Sequence, residues 1–514
     1  MDKKKHLFNS TEKSDFIVNM TYKQFSLIGF WLLAISTIGI FISSIPYYIA
    51  KGGQEFSYMH MVNDDDIVIK EMYGLSIEYL STKSYLKCIS VFLLVAGFIG
   101  YLMLVIAASK KYFSAKKNKS MLLLCGYLLF CVISSLFAYD IQIALIGRNT
   151  RFEGLIAIFS YVGIFVAASQ LSDKPKHKTI LDVFLSIAAI NAILGVLQCI
   201  PSTSNHIPTY FRESLKIFGS PKNSYDYYIA DGFTTSPYAL AAMMTMALAV
   251  AGCGLLYEKS KVRKLIYALG SILFMTAGLL TCTTTAIIGM GVVILTILVV
   301  EIVRLAKGHA LVKGNLFSNP IGLSILLIIL GGAVLTVFML IDRLSLLDST
   351  IILNDSQNRT GTGNPKISSE GFAIFPKIWE QCWDYIKGNW LLGTGMDCIG
   401  CKFHDLSDIS ETQTVGVFSI DRAYNEYFNI ALSCGLPALI FYLGFIASSV
   451  IKGIKGIGRF FVKEDSWTTT AAAIAVFAYV IQANFNISTI TVTPMFFLLI
   501  GLLWAIKPAK ASEK

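Results

Sequence analysis

The chain has 514 residues, of which 54% are hydrophobic and 15% charged, and its mean hydropathy is +0.62. This composition excludes a soluble multidomain protein of this length and predicts a polytopic membrane protein. The formal net charge is +10. Its basic residues lie in short connections beside apolar runs, where anionic lipid headgroups are the expected partners, so we predict no nucleic-acid binding.

Apolar runs of about 20 residues, the length that crosses a bilayer as a helix, recur along the chain. The first run is too long, and too late after a polar lead, for a cleaved signal peptide. Twelve spans are predicted at 25–47, 86–108, 120–138, 152–171, 179–200, 236–257, 264–281, 284–303, 319–341, 428–450, 467–487 and 489–506. The predicted fold class is therefore an all-α membrane protein with about 12 transmembrane helices.

Lys and Arg concentrate in alternate connections, for example in KKYFSAKKNK. Basic residues are retained on the cytoplasmic side, so both termini are predicted to be cytoplasmic. One extracytoplasmic connection, between the ninth and tenth spans, is long enough to form a subdomain. The predicted organisation is a cytoplasmic tail (1–23), a nine-helix region (24–341), an extracytoplasmic loop subdomain (342–423), a three-helix region (424–506) and a second cytoplasmic tail (507–514).

The predicted outer subdomain begins with the polar, Gly-rich loop NDSQNRTGTGNPKISSEG. Ile378, Trp379, Cys382, Trp383 and Ile386 then recur at helical spacing, which predicts an amphipathic helix. This helix lies either in the membrane interface, where Trp rings are enriched, or against the tops of the spans.

Other polar clusters give weaker signals. Three adjacent aspartates, Asp64 to Asp66, point in different directions and are typical of a solvated turn rather than a cation site. The CIGC pair, Cys398 and Cys401, has no second pair to complete a metal site. There is no Walker A or GxGxxG motif, so the sequence predicts no ATP-driven engine, no metal and no cofactor.

Basic residues are scarce on the predicted outer face, but several cluster. Arg148, Arg151 and Glu153 stand at the start of one span in GRNTRFEGL, and Arg212 and Arg422 face the same compartment. Guanidinium groups bind phosphate oxygens in two-pronged fashion, and the start of a helix adds positive potential. The arginines therefore either bind a lipid pyrophosphate or contact lipid phosphates as interfacial anchors.

Four segments together resemble a known family. GRNTRFEGL, TCTTTAIIGM, NWLLGTGMD and DRAYNEYFNIALSCGLPALIFYL, within residues 120–450, are similar in order and spacing to the bacterial O-antigen ligase and O-antigen polymerase superfamily. The resemblance implies transfer of a glycan from an undecaprenyl-pyrophosphate carrier to an acceptor hydroxyl, outside the membrane, without a nucleotide sugar or a metal.

The resemblance also implies roles for individual residues. Arg148 and Arg151 match the basic residues before the family's Glu-Gly pair, whose acid is Glu153, and are expected to hold pyrophosphate. Arg422 and Asn425 match the basic residue and the amide of the later motif. Lys377 is the nearest basic residue where the family often has an arginine on the Trp-rich helix.

Two positions depart from the family pattern. Tyr424 replaces the histidine proposed to activate the acceptor, and Thr283 to Thr285 replace a Ser-Arg-Gly turn. A tyrosine with a pKa near 10 is ionised to about one part in a thousand at neutral pH and is a poor base. Three accounts follow: Glu426 or Asp421 is the base, leaving-group stabilisation carries the reaction while Tyr424 orients the acceptor, or the chain has kept only a binding role.

The expected function is thus glycan transfer at the outer face of the bacterial plasma membrane, of ligase or polymerase type. The expected partners are an undecaprenyl-pyrophosphate-linked glycan, an acceptor glycan or lipid anchor, and membrane lipids. The alternatives are a transporter or flippase of an anionic substrate, which favours ionisable residues deep within its spans, and a catalytically silent binding homologue.

Overall fold

The computed structural model describes residues 22–42, 90–109, 120–148, 151–171, 174–199, 230–234, 236–306, 374–399, 422–461 and 466–505. All regular structure in these ranges is helical. In chain order the helices are α1 (Tyr22–Ile42), α2 (Ser90–Ser109), α3 (Ser120–Leu136), α4 (Ile141–Ile146), α5 (Leu155–Ser169), α6 (Lys174–Gln198), α7 (Pro237–Tyr257), α8 (Lys261–Leu279), α9 (Thr284–Ala306), α10 (Ile374–Gly388), α11 (Glu426–Phe461), α12 (Trp467–Gln482) and α13 (Thr493–Trp504).

Eight helices in the described ranges are long and apolar enough to cross a membrane: α1, α2, α6, α7, α8, α9, α11 and α12. Three shorter apolar helices, α3, α5 and α13, coincide with further predicted spans. In its described ranges the chain is therefore an all-helical, multi-pass membrane protein. The predicted span 319–341 lies outside the described residues, so the number twelve and the position of the long outer loop stay predictions.

Helix α7 forms the centre of the bundle and packs against α6, α8, α9 and α12. Helix α11 packs along α3 and α12, and α13 packs along α5. Small residues allow the closest crossing, because a Cβ added to Gly100 of α2 would lie 1.9 Å from the carbonyl oxygen of Gly163 on α5. Such small-residue contacts are a usual basis of helix association in membranes.

Nine termini of the described helices lie at the same end of the bundle. The helices that end there are α3, α6, α8 and α12, and those that begin there are α5, α7, α9, α11 and α13. Contacts between the connections show this directly: the Ala230 amide donates to the Leu280 carbonyl at 3.1 Å, and the Thr491 hydroxyl to the Thr234 carbonyl at 3.4 Å. We call this the site end, because the candidate residues lie there.

Two amides inside the bundle stabilise a turn at the site end. The Asn191 side-chain oxygen accepts from the Phe233 amide at 2.9 Å, and that of Gln198 accepts from the amides of Asp231 and Gly232 at 3.1 and 3.0 Å. Buried amides are costly without partners, and these satisfy backbone donors instead of binding a solute.

Candidate functional site

Three segments meet at the site end and carry most of the predicted residues. The first is the turn before α5, with Arg148, Arg151 and Glu153. The second is the loop after α10, residues 389–397, and the third is the stretch 422–425 that leads into α11. We call the meeting point of these segments the arginine site.

The turn before α5 is shaped by two residues with positive φ, Gly147 at 92° and Phe152 at 56°. The Arg151 amide donates to the Arg148 carbonyl at 2.9 Å, and the Gly154 amide donates to the Ile146 carbonyl at 3.4 Å. The turn folds back on α4, which leaves the Arg151 side chain buried, at 7% exposure for the residue.

Asp397 binds this turn from the second segment. Its carboxylate accepts from the Arg148 backbone amide at 2.7 Å and forms an ion pair with Arg151, in which Nε lies 3.1 Å from Oδ1. Asp397 itself has a φ of 54°, an uncommon conformation for a non-glycine residue. The sequence analysis did not select Asp397, although it is the final residue of the NWLLGTGMD motif.

A break in α11 fixes the loop that carries Asp397. Gly435 has a φ of 84° inside the helix, and Pro437 follows it, so nearby carbonyls lose their helical donors. The Thr394 amide donates to the Leu432 carbonyl and the Gly395 amide to the Ser433 carbonyl, each at 2.9 Å. The backbone amides of the Gly-Thr-Gly segment in NWLLGTGMD therefore replace two of the donors that the break removes from α11.

Arg422 lies beside Glu153 in the arginine site. Its Nη2 lies 3.7 Å from Oε2 of Glu153, and the two side chains are 16% and 12% exposed. The Trp379 indole on α10 donates to the Ala423 carbonyl at 3.2 Å and so anchors the residue after Arg422.

The carboxyl group of Glu153 is buried and incompletely bonded. Its Oε1 has no hydrogen-bond partner among the described residues. Burial raises the pKa of Glu153 to about 8; Arg422 and Arg151 oppose this shift, and the nearby carboxylates of Asp397 and Glu426 add to it.

Glu426, a predicted base, points into the bundle. It is 4% exposed, and its two carboxylate oxygens accept from the hydroxyls of Tyr442 at 2.5 Å and Tyr479 at 3.0 Å. The pair of phenols joins the start of α11 to its own later turns and to α12. Whether Glu426 exchanges protons with a substrate stays a prediction.

Asn425 has a structural contact in addition to its predicted role in substrate binding. Its side-chain oxygen accepts from the backbone amides of Tyr427 at 2.9 Å and Phe428 at 3.1 Å. This is the contact by which an asparagine caps the start of a helix, here α11.

Tyr424 has a strained backbone, with a φ of 45°. Its half-buried ring contacts the ring of Tyr238 on α7, with the centroids 5.5 Å apart. Strained residues of this kind cluster at functional sites, which supports a function for this position.

The amphipathic helix α10 packs against α11, as one of the two predicted alternatives requires. Ile378, Cys382 and Ile386 are buried, whereas Trp383 is 46% exposed. Trp383 shares the exposed face with Glu380 and with an ion pair in which the nitrogen of Lys387 lies 3.0 Å from a carboxylate oxygen of Asp384. The face is charged, so it suits water rather than hydrocarbon.

The threonines at the start of α9 form hydrogen bonds within the protein. Thr283, Thr284 and Thr285 are buried, and the Thr285 hydroxyl donates to the Phe485 carbonyl at 2.5 Å. The hydroxyls of Thr281 and Thr283 lie 2.9 Å apart.

The structure thus brings together Arg148, Arg151, Glu153, Arg422, Tyr424, Asn425 and Glu426. Lys377 lies on α10, and Asp421 and Arg212 lie outside the described residues, as do Cys401, His60, His206, His404 and the run Asp64 to Asp66. In the described part of the chain, no cluster of His, Cys, Asp and Glu side chains could hold a metal ion.

No family model matches the chain, and a comparison with curated proteins found no match. A function for the chain therefore has to be inferred from this geometry and from the sequence.

Proposed function

We propose that the protein transfers a glycan from an undecaprenyl-pyrophosphate carrier to an acceptor hydroxyl, at the outer face of a bacterial plasma membrane with both termini in the cytoplasm. One observation carries the proposal: Arg151 and Arg422, from segments far apart in the chain, converge beside the starts of α5 and α11. Guanidinium groups at helix N-termini suit a concentrated anion such as a diphosphate.

The arginine site would stabilise the diphosphate as it leaves the sugar. As the acceptor oxygen bonds to the sugar carbon, the bond from that carbon to the diphosphate oxygen breaks and its electron pair stays on the diphosphate. Arg151 and Arg422 stabilise that charge, and the proton of the acceptor hydroxyl passes to the departing diphosphate. Asp397 and Glu153 hold the two guanidinium groups in place before the substrate binds. Because both oxygens of Glu426 are bonded to phenols, we favour the account in which leaving-group stabilisation carries the reaction and Tyr424 orients the acceptor.

Aromatic side chains next to the site suit a sugar ring. The Phe428 ring is stacked with Trp379, with centroids 6.2 Å apart, and meets the exposed Trp383 edge to face at 6.5 Å. The C–H groups of a sugar pack on aromatic faces, and its hydroxyls find polar partners in the charged side chains beside Trp383. We propose that these rings contact the glycan.

A transporter of an anionic lipid remains the second candidate, because Glu426 is an ionisable residue buried at the start of a predicted span. Against it, two of the three polar residues predicted inside the spans, Asn191 and Gln198, bond to a backbone turn. The third, Gln482, is buried at the site end, and its side-chain amide has no hydrogen-bond partner among the described residues. Ionisable side chains such as Arg263 and Asp182 lie towards the opposite end.

The test compares two pools in cells: the undecaprenyl-pyrophosphate-linked glycan and the glycan on its final acceptor. We expect gene deletion, Arg151→Ala and Arg422→Ala to raise the first pool and deplete the second. Arg263→Ala is the matched control, because it removes a half-exposed arginine at the opposite end. Tyr424→His shows whether the tyrosine limits the rate. An unchanged carrier-linked pool in the deletion strain would exclude the transferase. Carrier-linked glycan that accumulates on the cytoplasmic leaflet would indicate the transporter instead.

A further inference from the structure

Glu153 lies among charges of both signs. The guanidinium groups of Arg422 and Arg151 act on it, and so do the carboxylates of Asp397 and Glu426. The phenol of Tyr161 on α5 also interacts with Glu153 and has no hydrogen-bond partner among the described residues. If every acid were ionised, the charges of Asp397 and Glu426 would repel that of Glu153. A proton on one of these acids would relieve the repulsion.

Glu153 is the acid whose geometry best accommodates that proton. The Oδ2 of Asp397 accepts from the Arg148 amide and its Oδ1 contacts Arg151, and both oxygens of Glu426 accept from phenols. Glu153 has one oxygen 3.7 Å from Arg422, beyond hydrogen-bond length, and one buried oxygen with no partner in the described chain. An ionised carboxylate in that position costs more free energy than a neutral acid does.

A bound diphosphate would add to the repulsion that an ionised Glu153 experiences. It brings further negative charge next to Glu153, and it shares the guanidinium group of Arg422 that now faces the Glu153 carboxylate. An ionised Glu153 would repel the ligand. A protonated Glu153 would instead donate a hydrogen bond to a phosphate oxygen, from the oxygen that has no partner now.

We propose that Glu153 binds the diphosphate as a neutral acid, so that ligand binding takes up one proton whenever Glu153 starts out ionised. This inference rests on the proposed function, since it concerns the same arginine site. It makes Glu153 a hydrogen-bond donor to the ligand, whereas its ordinary chemistry would make it an acceptor only.

The expected pH dependence follows from the raised pKa of Glu153, about 8 without ligand. Below that pH the acid already holds its proton, and binding takes up almost none. Above it, each binding event needs a proton from solution, so the affinity falls towards tenfold per pH unit.

The experiment measures binding of a short-chain polyprenyl diphospho-sugar to the purified full chain by calorimetry, in buffers of different ionisation enthalpy. The diphosphate of this probe is substituted at both ends, so its charge is constant near neutral pH. We expect proton uptake near zero at about pH 6.5 and close to one at about pH 9. Glu153→Gln, which keeps a donor, should bind with similar affinity at both pH values and take up no proton.

Asp182→Asn is the control, because it neutralises a half-exposed acid at the opposite end of the bundle. Wild-type binding that needs Arg422 but takes up no proton at any pH would overturn the inference and leave the proposed function standing. Proton uptake that persists in Glu153→Gln would assign the proton to another group and also overturn it. Binding that is unaffected by Arg422→Ala would refute the arginine site and, with it, both proposals. The wild-type measurement needs no variant, so a poorly folded Glu153→Gln protein would not prevent the test.

Discussion

Arg422 and Glu153 meet across the site end, with Nη2 of the arginine 3.7 Å from Oε2 of the acid. Arg422 precedes α11 and Glu153 precedes α5, so this one contact links the starts of two helices. An ion pair, Arg151 with Asp397, links the same α5 turn to the loop held by the break in α11. The proposed substrate recognition and the packing of the bundle therefore depend on the same side chains.

The pair of Arg151 and Asp397 is expected to stabilise the fold strongly, because both side chains are at most 10% exposed. Either single substitution, Arg151→Ala or Asp397→Ala, leaves a buried charge and should cost about 3 kcal/mol. The double variant should cost less than the sum, with a coupling of about 1–3 kcal/mol. Unfolding in a mild detergent measures this cycle, and additive effects would contradict the predicted pair.

Gly289 and Gly291 on α9 differ in how closely other side chains approach them, so they can be compared as a crowded and an open position. A Cβ at Gly289 would lie 2.3 Å from Oε1 of Gln482 and 2.5 Å from the hydroxyl of Thr245, so Gly289→Ala should destabilise the protein by about 1–3 kcal/mol. Gly291 has no atom within 4 Å of such a Cβ, so Gly291→Ala should be neutral or slightly stabilising. Thermal unfolding of both variants tests this. Equal effects would show that α7, α9 and α12 are less closely packed.

The raised pKa of Glu153 predicts that stability depends on pH even without ligand. Its pKa is about 8 in the folded chain, against 4.5 for the free side chain, so the folded state binds more protons between these values. The contribution of Glu153 is fully present below about pH 4.5 and is lost as the pH rises through about 8. The difference in melting temperature between wild type and Glu153→Gln should therefore change across this window. A constant difference would show that Glu153 is ionised throughout.

Trp383 is expected to contribute to glycan binding and not to stability. Because it is 46% exposed, Trp383→Ala should change the free energy of unfolding by less than about 1 kcal/mol. Losing a stacked sugar should weaken binding of the glycan-bearing probe by about 1 kcal/mol, or roughly fivefold. Binding of a polyprenyl diphosphate without sugar should be unchanged. Equal loss for both probes would assign Trp383 to the lipid or diphosphate instead.

Trp379→Phe tests whether Trp379 acts by stacking on the sugar or by positioning Arg422. The indole of Trp379 donates to the Ala423 carbonyl, next to Arg422. Removing that donor should weaken binding of both probes, because Arg422 loses part of its support. If Trp379→Phe affects only the sugar-bearing probe, the indole acts through stacking and not through the hydrogen bond.

The sequence by itself determined the helices and the end of the bundle at which the candidates gather. Long apolar runs predict spans because no other regular structure satisfies its backbone within a single segment in lipid. Strict alternation of the spans then places GRNTRFEGL, NWLLGTGMD and DRAYNEYF at one end. The helical spacing predicted the buried face of α10 correctly at Ile378, Cys382 and Ile386, because that periodicity is local. It was wrong for Trp383, which is 46% exposed.

Only the tertiary structure decided which polar groups meet. Asp397 received no role from the sequence, yet it binds both Arg148 and Arg151. Glu426, selected as a base from its neighbours in the chain, is bonded to two phenols from later helical turns. These pairings join residues far apart in the chain, and a periodic pattern carries no information about partners at such separations. The ionisation of Glu153 depends on this tertiary arrangement, because burial and distant charges set its pKa, whereas the local sequence shows only an acid after two arginines.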